Sequence, residues 1–100
     1  MESFDIEAID EVVHGRVRLG VLAYLVTAGS AEFGELRVRL QTTDGNLSVH
    51  LRKLELAGYV EVTKSFVGRK PLTRVQITTA GRDAFEAWLA AIERLMPRPV

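Results

Sequence analysis

At 100 residues, 47% hydrophobic and 26% charged, the chain supports one small domain with a modest core and excludes a two-lobed enzyme built around an interdomain cleft. Thirteen Lys and Arg against thirteen Asp and Glu give no net pull toward nucleic acid or an anionic membrane, and the lack of Cys removes disulfides, thiolate metal sites and Cys nucleophiles together. The longest apolar run, Val21 to Val26, is far too short to span a bilayer, and the acidic opening residues are unlike a signal peptide, so a cytoplasmic chain with no membrane partner is expected.

No internal repeat breaks the sequence, which reads as a single domain over residues 1–100 with a fraying Pro-containing tail after Met96. Phe4, Ile6, Ile9, Val12 and Val13 recur at roughly helical spacing among acids and predict an amphipathic helix over about residues 4–14. From Arg16 to Ala28 apolar residues cover most of the helical circumference, the pattern of a helix packed on nearly all sides, and Gly29 supplies its C-terminal stop. Phe33, Leu36 and Leu40 mark a short helix with Arg37 and Arg39 outside, and residues 41–43 form a tight turn. Thr43 then caps a helix whose buried stripe is Leu47, Leu51 and Leu54, ending at Gly58. Residues 59–64 and 73–78 alternate with period two, with Val60, Val62, Val75 and Ile77 on one face, and predict an antiparallel hairpin with a long, basic, solvated tip from Ser65 to Leu72. A last helix over about residues 79–96, capped by Thr79 with Asp83 in its first turn, carries Phe85, Trp88, Leu89, Ile92, Leu95 and Met96 as an apolar stripe.

A short helix, a tight turn and a second helix have helix-turn-helix spacing, and the hairpin directly behind them makes a winged helix. The fold class is therefore mainly α with a small β-hairpin, a winged helix-turn-helix with additional N- and C-terminal helices. Three segments carry a family resemblance: Arg18 to Leu22; Thr43 to Val60, ending in Leu56, Ala57, Gly58 and Tyr59; and Leu72 through Ile77 to Gly81 and Arg82. Over about residues 14–96 the chain resembles the small winged-helix transcriptional regulators of the MarR-like class. That likeness implies a homodimer formed through the terminal helices, and a small-molecule effector entering between those helices and the motif, which no residue here identifies.

Charge placement supports a DNA partner separately. Between Arg37 and Arg74 eight Lys and Arg stand against three acids, a net +5, whereas residues 1–15 hold five acids and no Lys or Arg. With the three leucines turned inward, Gly45, Asn46, Ser48, Val49, Arg52 and Lys53 fall on or near the outward face of the second motif helix. Asn46 suits an adenine edge, Ser48 a base or phosphate, Val49 a thymine methyl, and Gly45 close backbone approach, while Arg52 and Lys53 suit phosphate clamping. Thr42 and Thr43 at the helix start can also meet a phosphate, and Lys64, Arg69, Lys70 and Arg74 of the wing can track a DNA backbone, with Arg69 able to enter the minor groove. His50 lies beside the leucine stripe and reads as a boundary residue.

Phe4, Ile6, Ile9 and Val13 at one end and the 85–96 stripe at the other exceed what a small trihelical core needs, which points to a dimer interface. His14 and His50 are the only histidines and neither sits in a catalytic frame, so no enzyme activity, metal or cofactor is expected. The expected function is sequence-specific double-stranded DNA binding by a homodimeric regulator. The alternative is a winged-helix protein-interaction module without DNA binding, working through the acidic N-terminal segment and the apolar terminal stripes.

Overall fold

The computed structural model describes residues 4–96. In chain order these form helix α1 (Arg16–Ala28), strand β1 (Ser30–Glu32), helices α2 (Phe33–Arg39) and α3 (Asp44–Leu56), strands β2 (Val60–Val67) and β3 (Lys70–Ile77), and helix α4 (Thr79–Leu95). The antiparallel sheet has the order β1-β3-β2. Val21, Leu22 and Leu25 of α1, Leu36 of α2, Leu47 and Leu54 of α3, and Val75 of β3 meet with no exposed surface at the centre. Burying each such leucine contributes roughly 2–3 kcal/mol relative to exposure. This core fixes α3 by its inner stripe, as the leucine spacing predicts, and leaves its outer face unencumbered.

Five local expectations are corrected. The N-terminal helix over residues 4–14 is replaced by a single 3-10 turn at Ile6–Ala8. The Asp10 carboxylate accepts the backbone N–H groups of Val12 and Val13 at 2.8 and 3.3 Å, offering the chain an alternative to continuing a helix. Val13, expected at a dimer surface, is fully buried in the domain's own core. Strand β1 was not foreseen, because three residues are too few to show a period, yet its Ala31 is buried and pairs with Val75.

The basic tip is the third correction. β2 and β3 stay in register out to Val67 opposite Lys70, so a two-residue turn at Gly68 and Arg69 closes the hairpin in place of a long loop. Gly68 has φ +65°, the left-handed backbone that glycine adopts at little cost and that such a turn demands. Pro71 is accommodated because β1 reaches only to Arg74, which leaves that stretch of β3 with β2 as its sole neighbour. Finally, Thr78, one residue before the expected Thr79, caps α4: its hydroxyl oxygen accepts from Gly81 N–H at 3.0 Å and its O–H donates to the Gly58 carbonyl at 2.6 Å. The first turn of α4 holds no acid, so Asp83 lies beyond it.

Candidate nucleic-acid interface

Helix α3 begins where its sequence says it should. Thr43 is extended, and its hydroxyl accepts from Asn46 N–H at 3.1 Å, satisfying one of the unpaired donors of the first turn. Gln41, with φ +51°, makes the preceding turn tight. Gly45, Asn46, Ser48, Val49, Arg52 and Lys53 are all exposed, so the outward face consists of the residues the leucine stripe selects. Asn46 is already oriented: its side-chain amide N–H donates to the Thr42 hydroxyl at 2.8 Å. One amide hydrogen and the amide oxygen remain as an adjacent donor and acceptor. The positioning role of Thr42 was missed in the sequence, although its spacing of one helical turn from Asn46 was the available signal.

The wing divides its cations between two faces. Cross-strand pairs Val60 with Ile77, Val62 with Val75, and Lys64 with Thr73 share the face turned toward α3. Ser48, Arg52 and Glu55 of α3 and Val62, Lys64 and Thr73 of the wing line a common cleft of about 490 Å³. Lys64 is thus brought together with Arg52. Lys70 and Arg74 are not, because they fall on the opposite face of the sheet, and Arg69 occupies the turn itself. Arg74 is further held by Glu32 at 3.6 Å and donates to the Ser30 hydroxyl at 3.3 Å. Arg37 pairs with Asp44 at 2.9 Å, which offsets the one carboxylate at the start of α3. No salt bridge engages Arg52, Lys53, Lys64 or Arg69 among the described residues.

Behind α3 a strap of backbone from Asp10 to His14 is fastened from three directions. The Arg18 guanidinium donates to the Val12 carbonyl at 2.7 Å and the Glu11 carbonyl at 3.2 Å, and lies 2.8 Å from Nδ1 of His50 on α3. Arginine has no acceptor to offer, so this imidazole is neutral and uses its Nδ1 lone pair. Burial pushes the His50 imidazole below its ordinary value, with the Arg18 and Lys53 charges adding to the effect. The Tyr59 hydroxyl donates to Asp10 at 2.5 Å, and that hydrogen bond, with burial and the Asp10 charge behind it, pushes the phenol up to about 12. The Trp88 indole N–H of α4 donates to Nδ1 of His14 at 3.1 Å. His50 is therefore a boundary residue holding the motif, in keeping with its place beside the stripe.

Of the residues expected at a dimer interface, Phe4, Ile6, Leu89 and Met96 are exposed, whereas Ile9, Phe85, Trp88, Ile92 and Leu95 are half-buried and Val13 is unavailable. Phe85 and Trp88 pack against the core. Among the described residues no three His, Cys, Asp or Glu side chains converge as a metal site, and no helix is long and apolar enough to cross a membrane.

An outward-facing helix after a tight turn, with a basic hairpin beside it, defines a winged helix-turn-helix. Family comparison agrees: the winged helix DNA-binding domain model matches residues 17–96, and the chain belongs to that family. It is 39% identical over 85 residues to an uncharacterized protein of Methanocaldococcus jannaschii, covering 85% of this chain and 92% of that one. Among solved structures it is similar to a transcriptional regulator homologue from Pyrococcus horikoshii OT3, with TM-score 0.79 and 32% identity over 84% of this chain and 83% of that one. Overoxidized AbfR bound to DNA shares the fold at TM-score 0.75 and 20% identity, over 96% of this chain and 70% of that one.

Proposed function

We propose that this chain is a transcriptional regulator that binds double-stranded DNA as a homodimer, reading sequence with α3 and clamping phosphates with Arg52, Lys53 and the wing. The observation that carries the reading is the exposed outer face of α3, where Asn46, Ser48 and Val49 stand beside Arg52 and Lys53, which form no salt bridge among the described residues. The regulator homologue from Pyrococcus horikoshii and the DNA-bound AbfR support it as proteins of the same fold. Entry of α3 into the major groove would set Asn46, Ser48 and Val49 against base edges, with Gly45 and Thr43 next to a phosphate at the helix N-terminus. Lys64 would hold the backbone from the cleft side, with Arg69 at the tip and Lys70 and Arg74 on the far face of the wing.

Dimerisation is supported by shape as well as by apolar surface. The molecule measures 59 × 24 × 21 Å with a radius of gyration of 15.4 Å, against about 13 Å for a compact 100-residue domain. The exposed Phe4, Ile6, Leu89 and Met96 would then be covered by a second copy, setting two α3 helices about 34 Å apart on a pseudo-palindromic site. A small-molecule effector would find room in the groove of about 620 Å³ lined by Ile6, Glu7, Ile9, Glu11, His14 and Arg18, next to the strap that holds α3.

The test is fluorescence anisotropy of the purified chain on mixed genomic duplexes, titrated with salt. A log-affinity slope of about −5 or steeper against log salt is expected for a dimer touching several phosphates. Absence of binding at low salt would refute the reading and return attention to a protein partner for the terminal segments.

A further inference from the structure

We propose that the wing carries an apolar minor-groove contact, Phe66 backed by Pro71, through which the protein senses how readily a base step opens. This rests on the DNA-binding reading above and names a contact that reading does not contain. The hairpin is paired to its tip, so each eight-residue strand is a stiff rod of about 26 Å. Alternation continues the α3-facing side of the wing outward: after the buried pairs and the Lys64 and Thr73 pair that lines the cleft comes Phe66 opposite Pro71. Among the described residues nothing covers this last pair: Pro71 is exposed and Phe66 is 73% exposed.

The occupant is indicated by charge and shape together. From Val62 to Thr73 there is no carboxylate, while Lys64 shares the face of the ring and Arg69 occupies the adjacent turn. An apolar ring flanked by a cation on its own face and another at the tip complements a surface whose walls are apolar and whose rims are anionic. The minor groove of duplex DNA, about 6 Å wide, is such a surface, with sugar faces inside and phosphates along both edges. Apolar wedges placed there partly unstack a base step and kink the duplex, at a cost that depends on the step and is least where a pyrimidine precedes a purine. Preference would then arise at positions where no side chain forms a hydrogen bond to a base.

The experiment compares wild type, Phe66→Ala and Arg69→Ala on a pool of 30-base-pair duplexes with random centres, by anisotropy across a salt series and by sequencing of the bound fraction. Phe66→Ala should weaken binding about tenfold per wing, the low end for burying a phenyl group, with the salt slope unchanged and with loss of pyrimidine–purine enrichment beside the major-groove site. Arg69→Ala should instead lower the slope by about 1. Thermal unfolding of Phe66→Ala should match wild type, since the ring is exposed. Wild-type affinity and step preference in Phe66→Ala would overturn the proposal, as would a loss accompanied by a reduced slope, or weaker binding that keeps the wild-type step preference. Failure of the wild type to bind the pool would overturn the DNA-binding reading itself.

Discussion

Replacing Gly81 by Ala tests how α4 is seated. A Cβ at this position would lie 3.0 Å from Cγ1 of Ile77 and only 2.1 Å from the Tyr59 carbonyl oxygen, the latter more than 1 Å short of ordinary contact at 3.4 Å. The first obstacle is backbone, and it is pinned, because the same carbonyl accepts from Thr78 N–H at 3.1 Å. The start of α4 must therefore lift off the base of the wing. Overpacking of this kind costs about 3 kcal/mol, and the higher helix propensity of Ala returns about 1, leaving a net loss of about 2 kcal/mol. For a domain of this size that lowers the melting temperature by roughly 10 °C, readable by circular dichroism. Gly34, helical and exposed in α2 with open space where a Cβ would sit, is the control: Gly34→Ala should melt at or slightly above wild type. A Gly81→Ala protein that melts at or above wild type would refute the close-approach argument.

The same substitution at Gly45 should separate stability from binding. Among the described residues nothing beyond the adjoining backbone of its own helix lies within 4 Å of a Cβ there, so Gly45→Ala should raise stability by about 0.5–1 kcal/mol in urea unfolding while weakening DNA binding, and unchanged affinity would remove Gly45 from the interface. Arg52→Ala should lower affinity to a similar degree on all duplexes and reduce the salt slope by about 1; a sequence-dependent loss at constant slope would make it a base reader. Stability should also vary with pH at both ends. The His50 imidazole is held below its ordinary 6.5, so its contribution is present above that pH and lost as pH falls, and His50→Gln should flatten the acid limb of the unfolding midpoint against pH. Tyr59 is raised from 10.0 to about 12, so its contribution is present below pH 10 and lost toward pH 12, a loss that Tyr59→Phe should abolish.

Helices α1 and α3 were legible because a core face repeats often enough to declare its period, as Leu47, Leu51 and Leu54 do. The outward face of α3 followed from those three positions alone. The wing was harder. Reading residues 65–72 as a loop hid the continued pairing, and with it the face on which each side chain stands, because alternation has meaning only while the register holds. Phe66, Lys70 and Pro71 therefore carried no face in the sequence, and Lys70 stands on the side opposite Lys64 and Phe66. At the N-terminus the apolar spacing from Phe4 to Val13 imitated a helix, while the deciding interaction, the Asp10 carboxylate on Val12 and Val13 N–H, is a competition between side chain and backbone that periodicity does not register. The Arg18 and His50 contact joins residues 32 positions apart, and no local pattern announces it.

Helix α3 keeps its two duties on separate sides. Leu47, Leu51, Leu54 and His50 tie it to the rest of the molecule, and the six outward positions from Gly45 to Lys53 are exposed. Exchanges at such surface positions ordinarily change stability by no more than about 0.5 kcal/mol. The outer side can thus change its side chains without passing through an unfolded ancestor, and if it reads DNA as proposed above, the same frame would be retargeted by rewriting a handful of positions.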